Sequence, residues 1–293
     1  MVQLNIKPKI AIFDSGVGGL TVFKEILQRF PNDSIIYVGD TARVPYGCRS
    51  HETIKKYSEE ILGHLLSMPL AAIVVACHTV SSVAISRLKD ILDSRNLKIP
   101  LLDVLTYSIP QAIRSSLDGK IGIIGTEATI LSGRYRDELL KHKPSIEIQA
   151  IACPLFVPLV EEGFIEGPIT DLVISKYLNP IKGKVNSLIL GCTHYPLLQT
   201  CIQTYLGPSV TLIDPSIEVA NALQKLIKPS EVGSGELIFQ VTDHPERFHR
   251  IAKMLLGEKA PFPEHIVVQP DSAPMIYSDD IASSFSNAKI RPK

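Results

Sequence analysis

Residues 71–80 read A-A-I-V-V-A-C-H-T-V, and residues 187–195 read S-L-I-L-G-C-T-H-Y. In both stretches a short apolar run leads directly into a cysteine that has a histidine and a threonine beside it. Short apolar runs that end abruptly in small and polar residues are typical of strands buried in a parallel sheet. We therefore expect Cys77 and Cys192 just beyond the carboxyl ends of two strands, where open α/β sheets bind their ligands.

Apolar runs of this kind alternate with amphipathic segments along most of the chain. Segments such as residues 20–30 and 53–66 repeat their apolar side chains at helical spacing, which predicts helices that cover a sheet. The alternation predicts an α/β fold built on parallel sheets. The expected strands are residues 10–13, 35–38, 72–75, 101–104, 121–124, 148–151, 188–190, 210–213 and 236–241, with a further helix expected over residues 245–256.

A faint internal repeat suggests how these elements are divided. Residues 9–16 (K-I-A-I-F-D-S-G) resemble residues 120–126 (K-I-G-I-I-G-T), and about 70 residues after each segment a strand ends in a cysteine. We predict two pseudo-symmetric, doubly wound parallel-sheet domains with the active site in the cleft between them. The first comprises residues 1–105 with 215–293, including a polar and loosely ordered tail over 271–293, and the second comprises residues 106–214.

The overall composition narrows the class of protein. Of the 293 residues 45% are hydrophobic and 20% are charged, with 30 Lys and Arg against 30 Asp and Glu, which is typical of a soluble globular protein. Without a basic excess, nucleic acid and anionic membrane are not expected partners. Five cysteines without paired spacings, and no apolar run near the roughly 18 residues of a membrane span, favour a cytoplasmic protein with reduced thiols.

Polar and reactive side chains cluster at the expected strand ends. They are Asp14 and Ser15, Tyr46 and Gly47, Cys77 with His78 and Thr79, Thr126 with Thr129, and Cys192 with Thr193 and His194. The glycine-rich stretch D-S-G-V-G-G-L-T, residues 14–21, either presents backbone N–H groups to an anion or simply makes a tight turn. It lacks the lysine of a P-loop. Asp14 taken alone is most simply interpreted as a helix cap.

The two matched cysteines permit three interpretations. They are inert buried thiols, or ligands of a metal with His78 and His194, or two reactive thiols that face each other across a small substrate. The ligand spacing is poor for a metal site, and a helix N-terminus after each strand is expected to lower the pKa of each thiol. Two opposed acid–base groups suit the inversion of a stereocentre. Cys48, Cys153 and Cys201 have no such context and are assigned to packing.

Five motifs together resemble a known family. They are D-S-G-V-G-G-L-T-V from residue 14, D-T-A-R-V-P-Y-G from residue 40, A-C-H-T from residue 76, C-P-L-F-V-P-L-V-E from residue 153 and L-G-C-T-H-Y-P-L-L from residue 190. In order and spacing they resemble the bacterial glutamate racemases of the cofactor-independent Asp/Glu racemase superfamily. The resemblance covers residues 10–214, residues 236–268 are compatible with it, and nothing beyond residue 269 matches.

The resemblance implies an amino-acid racemase that interconverts L- and D-glutamate without cofactor or metal, supplies D-glutamate for peptidoglycan and forms a homodimer. It implies that Cys77 acts on the D-enantiomer with the help of Asp14, and that Cys192 acts on the L-enantiomer with the help of His194 and Glu161. The implied substrate-binding residues are Asp14, Ser15, Tyr46, Gly47, His78, Thr79, Thr126, Thr129, Thr193 and His194.

One residue departs from the family pattern. His78 stands where the family usually has asparagine, and histidine is bulkier and ordinarily titrates near neutrality. If protonated, it would repel the substrate ammonium and attract its carboxylates. The departure leaves two alternatives open, namely a racemase of aspartate or another amino diacid, and a low-activity glutamate-binding homologue with a regulatory role.

Overall fold

The computed structural model describes residues 8–116, 118–258 and 260–268, and within them two parallel sheets contain all the assigned strands. The larger sheet has the order β10-β9-β2-β1-β3-β4, and the smaller has the order β6-β5-β7-β8. The larger comprises β1 (Lys9–Asp14), β2 (Ile35–Gly39), β3 (Leu70–Val75), β4 (Leu101–Asp103), β9 (Leu237–Val241) and β10 (Glu264–His265). The smaller comprises β5 (Lys120–Gly125), β6 (Glu147–Ala152), β7 (Ser187–Gly191) and β8 (Thr211–Ile213).

The two sheets share one topology, which confirms the predicted fold class. The order β2-β1-β3-β4 in one repeats as β6-β5-β7-β8 in the other, and every pair of neighbouring strands is parallel. Phe13 pairs with Val75, and Gly125 pairs with Gly191. Cys77 and Cys192 therefore follow equivalent strands, β3 and β7.

Helices connect the strands and cover both faces of each sheet. They are α1 (Leu20–Arg29), α2 (His51–Leu65), α3 (His78–Val83), α4 (Ile85–Ser94), α5 (Val104–Ser115), α6 (Glu127–Leu131), α7 (Arg134–His142), α8 (Phe156–Glu161), α9 (Pro168–Leu178), α10 (Gln199–Leu206), α11 (Pro215–Leu226) and α12 (Pro245–Leu256). The expected strand over 101–104 ends one residue early, because the Asp103 carboxylate accepts a hydrogen bond from Thr106 N at 2.8 Å and begins α5 at Val104.

We call the larger sheet with its helices the first unit, and the smaller sheet with its helices the second unit. The predicted boundary at 105/106 falls in the first turn of α5, and the boundary at 214/215 falls where α11 begins. The domain limits themselves stay a prediction. The expected tail over residues 271–293 lies outside the described residues.

The central strands bury side chains on both faces. In β1, Ile10 and Ile12 pack in one apolar cluster while Ala11 and Phe13 pack in another. The same holds for β7, where Leu190 and Ile189 belong to different clusters. Double-sided burial explains why these strands read as continuous apolar runs in the sequence. No helix in the described part of the chain is long and apolar enough to cross a membrane.

Replacement of Leu190 by alanine tests how much burial in β7 contributes to the free energy of unfolding. Leu190 is fully buried in β7, so its truncation should lower the free energy of unfolding by about 2–5 kcal/mol. Leu172→Ala on α9 is the matched control, because Leu172 is 71% exposed and its loss should change stability by no more than about 0.5 kcal/mol. Denaturant unfolding of both variants provides the measurement, and equal effects would contradict the assignment.

Candidate active site

A cavity of about 320 Å³ lies where the carboxyl ends of β1, β3 and β7 meet. Both units contribute to its walls. Eleven predicted site residues line it, namely Ser15, Tyr46, Gly47, Cys77, His78, Thr79, Thr126, Glu161, Cys192, Thr193 and His194. Asp14 and Thr129 do not line the cavity, since both are buried behind its wall.

On the wall of the first unit, Cys77 occupies the position just before α3 and donates to Ser15 Oγ at 3.4 Å. The expectation that a helix N-terminus lowers the pKa of this thiol is wrong. Burial of the sulfur, together with the nearby negative charge of Asp14, raises the pKa of Cys77 to about 12. The six-residue helix does not outweigh these effects. In this state of the cavity Cys77 is therefore a protonated thiol.

Behind Cys77, Asp14 holds the glycine-rich turn in place. Its Oδ2 accepts hydrogen bonds from Gly16 N at 3.0 Å and Gly19 N at 3.1 Å, and Gly19 is the residue that precedes α1. Burial raises the pKa of Asp14, although these N–H groups and His194 act against it. The interpretation of Asp14 as a helix cap is therefore wrong, because its carboxylate bonds to the turn before α1 and the N-cap of that helix is Gly19.

On the wall of the second unit, three side chains form a chain of polar contacts. Cys192 Sγ lies 3.7 Å from His194 Nδ1, and His194 Nε2 lies 3.2 Å from Glu161 Oε1. Burial alone would lower the pKa of His194, but the hydrogen bonds to Cys192 and Glu161 outweigh it and raise the pKa to about 10. The hydrogen bond to His194 in turn lowers the pKa of Glu161. His194 is therefore a buried cation next to a sulfur atom.

A fourth residue extends this chain and was not found from the sequence. Arg247 on α12 places Nη2 3.5 Å from Glu161 Oε2 and 3.3 Å from Glu162 Oε1. The sequence offers no signal for this contact, because Arg247 is 86 residues from Glu161 and belongs to the first unit. Arg247 thus joins the two units beside the Cys192 wall.

The glycine-rich turn reaches across to the same wall. Thr21 Oγ1 donates to Thr193 O at 3.1 Å. A Cβ atom added at Gly18 would lie 2.4 Å from Thr193 Oγ1 and 2.5 Å from His194 Nδ1, which is closer than atoms can approach. A glycine is needed at position 18 for this close approach.

His78 differs from its expected behaviour. It is buried, its Nδ1 lies 2.8 Å from Tyr135 Oη, and burial lowers the pKa of its imidazole to about 3. The repulsion of the substrate ammonium that a protonated His78 would cause does not arise, because the ring is neutral near pH 7.

A group of threonine hydroxyls joins the two units beside His78. Thr79 Oγ1 lies 3.0 Å from Thr126 Oγ1 and 3.4 Å from Thr129 Oγ1, while Thr126 and Thr129 lie 2.9 Å apart. Nearby, the Tyr46 hydroxyl donates to Asp40 Oδ2. Of these residues Thr79 and Thr126 line the cavity, and their hydroxyl groups suit a polar substrate.

Several lining residues were not among the predicted ones. They are Gly16, Val44, Pro45, Cys48, Glu127, Pro154, Val157 and Pro158. The assignment of Cys48 to packing is wrong, because this thiol is exposed and borders the cavity, at the end of the short turn Tyr46–Cys48. Cys153 is fully buried. No group of three or more His, Cys, Asp or Glu side chains within the described ranges is arranged to hold a metal ion.

Comparison with known proteins gives a consistent result. The family model for Asp/Glu/Hydantoin racemase matches residues 16–223. The chain is 47% identical over 251 residues to the glutamate racemase of Aquifex aeolicus, which covers 86% of this chain and 95% of that protein. The chain belongs to the Asp/Glu/Hydantoin racemase family.

Solved structures of glutamate racemases agree with this assignment. The Francisella tularensis enzyme in complex with D-glutamate superposes with a TM-score of 0.83 at 36% identity, over 90% of this chain and 99% of that one. An isoform from Bacillus anthracis superposes with a TM-score of 0.84 at 33% identity, over 89% and 98% of the two chains. The racemase family thus accounts for both sheets and for the cleft between them.

Replacement of Glu161 by glutamine tests the origin of the His194 charge. Because Glu161 accepts from His194 Nε2, its neutral substitute should lower the pKa of His194 by at least about one pH unit. Glu162→Gln is the matched control, since Glu162 contacts Arg247 and should leave that pKa unchanged. NMR titration of the His194 ring measures both. An unchanged pKa in Glu161→Gln would show that another group holds the proton on His194.

Proposed function

We propose that the protein interconverts L- and D-glutamate by cofactor-independent proton transfer between two thiols and the α-carbon. One observation carries the proposal: Cys77 and Cys192 line a single cavity from opposite units, and each has its own polar partners. The glutamate racemases at 36–47% identity support the choice of substrate. Inversion of a stereocentre requires one group on each face of the carbon, and this cavity offers two.

The two thiols differ in their readiness to act. The positive charge of His194 stands beside Cys192, so this sulfur can take the α-proton of L-glutamate as a thiolate and become S–H. The electron pair left on the α-carbon then takes the proton of the Cys77 S–H from the other face, which gives D-glutamate and a Cys77 thiolate. The reverse reaction uses the same steps in the opposite order, and Asp14 assists Cys77 from behind.

The remaining wall residues would bind the substrate and stabilise the carbanion. Hydroxyl and N–H groups of Ser15, Thr79, Thr126 and Thr193 and the backbone at Gly47 can donate to the two carboxylates. Without a delocalising cofactor, the acidity of the α-carbon depends on donors that are already oriented and on the exclusion of water. The burial of both sulfurs, at 5% and 6% exposure, supports this role.

The proposal extends to the setting of the reaction. We place the protein in the cytoplasm, as a homodimer that supplies D-glutamate for peptidoglycan. Reduced cysteines support the location, because both reacting sulfurs must be free thiols. The dimer rests on the family resemblance, and sedimentation velocity of the purified protein tests it.

Circular dichroism of L-glutamate and then of D-glutamate over time tests the reaction directly. Both solutions should lose their optical activity and approach the same racemic end point. Cys77→Ser and Cys192→Ser should each lower kcat by a factor of about 10²–10⁴, because each removes one acid–base group. Cys201→Ser is the control for loss of a thiol away from the cavity and should keep its activity.

Solvent exchange separates this mechanism from others. In D₂O the product formed by the intact protein should carry deuterium at the α-carbon. Deuterium uptake that survives replacement of both Cys77 and Cys192 would overturn the two-thiol mechanism. A higher kcat/KM for aspartate than for glutamate would favour the other amino-diacid reading, and calorimetric binding of glutamate without turnover would favour the regulatory one.

A further inference from the structure

His78 and Tyr135 form a buried pair that joins the two units. His78 begins α3 and lines the cavity, whereas Tyr135 on α7 lies behind it and is only 2% exposed. The rings are nearly parallel, with an interplanar angle of 21° and centroids 6.1 Å apart. The Tyr135 hydroxyl lies 2.8 Å from His78 Nδ1, so these two atoms form a hydrogen bond in which one is the donor and the other the acceptor.

The surroundings of the Tyr135 hydroxyl determine whether the proton of this hydrogen bond is on Tyr135 Oη or on His78 Nδ1. Burial raises the pKa of Tyr135, so the phenol keeps its proton. Ser108 lies beside the same hydroxyl, but its own proton is donated to Leu105 O at 2.8 Å. The Tyr135 O–H group can therefore donate to Ser108 Oγ or to His78 Nδ1. The lone pair of a neutral imidazole nitrogen is a better acceptor than a serine hydroxyl, so we assign the hydrogen bond to His78.

We propose that Tyr135 is a positioning residue that fixes His78 as the neutral tautomer with its proton on Nε2, and that this N–H donates to a carboxylate of the substrate. His78 lines the cavity, and no hydrogen bond among the described residues uses its Nε2. The inference rests on the proposed function, because it assigns a role to His78 in glutamate binding.

Under this proposal His78 offers the substrate a different set of hydrogen-bonding groups from those of an asparagine at the same position. An asparagine amide offers both a donor and an acceptor to the substrate, whereas a neutral imidazole with Nδ1 occupied offers only a donor. A donor of this kind suits a carboxylate and not an ammonium group. The opposite tautomer would present a lone pair to the cavity and would suit the ammonium instead.

The tautomer is measurable without any turnover. In NMR of the protein with isotope-labelled histidine, with His78 assigned from the His78→Asn variant, the ring should be neutral with the proton on Nε2 from about pH 6 to about pH 9. Saturating glutamate should shift the Nε2 resonance more than that of Nδ1. A proton on Nδ1, a cationic ring or an Nε2 signal that ignores glutamate would overturn the proposal.

Kinetics separate positioning from mere packing. Tyr135→Phe keeps the ring and removes the hydroxyl, so it should mix the two tautomers and raise the KM for glutamate by about three- to tenfold, with kcat changed less. Tyr205→Phe is the matched control, since it removes a hydroxyl that lies 3.4 Å from Asn179 on the outer surface, and its KM should be unchanged. Equal KM values for the two variants would contradict the role of Tyr135.

Variants at position 78 complete the test. His78→Phe loses the donor and should raise KM by at least about tenfold, whereas His78→Asn restores an N–H and should stay within about threefold of the parent. In the His78→Phe background, Tyr135→Phe should have no further effect on KM, because its influence acts through the histidine. An additive effect would overturn the proposal.

The outcome for His78 can be told apart from the outcome for the reaction. If glutamate is not racemised but the ring carries its proton on Nε2 and responds to glutamate, the proposed function fails and the assignment of His78 stands. If racemisation proceeds and the ring carries its proton on Nδ1, the proposed function stands and the assignment of His78 fails. Should Tyr135→Phe not fold, the NMR of the parent protein still decides the tautomer.

Discussion

Parallel pairing of a central strand with its neighbour is the constraint on which this molecule depends. β3 pairs with β1 up to Phe13 and Val75, and β7 pairs with β5 up to Gly125 and Gly191. Because parallel strands end at the same edge, the groups that follow β1 and β3 meet, and the same is true of β5 and β7. A one-residue slip of either strand would move each apolar side chain to the opposite core, where it would meet a space shaped for a different side chain.

The two walls share a topology but not an electrostatic environment. Cys77 stands near a buried carboxylate, which favours the neutral thiol, whereas Cys192 stands beside a buried histidine cation that is paired with Glu161. Enantiomers have equal free energy in water, so the difference cannot serve the equilibrium. In the proposed two-base reaction one group must hold a proton when the substrate binds, and the buried Cys77 thiol beside Asp14 suits that role.

The sequence predicts features that depend on local pattern, such as the strands and the positions of the two sulfur atoms. It does not predict pKa values or side-chain contacts that depend on burial or on the packing of one unit against the other. Apolar periodicity is sufficient for the strands, and the motifs around Cys77 and Cys192 are sufficient to place both sulfurs in one cavity. The lowered pKa expected for Cys77 was wrong, and His78 does not titrate near neutrality, because desolvation depends on how the units close over both side chains. The assignment of Cys48 to packing was wrong for a related reason, because the sequence around a single cysteine does not indicate whether the thiol is exposed. Arg247 was missed because α12 contacts Glu161 only in the folded chain.

Closure of the cavity and alignment of its groups are therefore one event. At the Cys192 wall, Thr21 and Arg247 of the first unit contact Thr193 and Glu161 of the second. At the Cys77 wall, the second unit supplies Tyr135 to His78. A small shift between the units would therefore loosen the Arg247–Glu161 contact and the His78–Tyr135 pair together. The close approach at Gly18 leaves little room for such a shift, and this gives the glycine-rich turn its part in the chemistry.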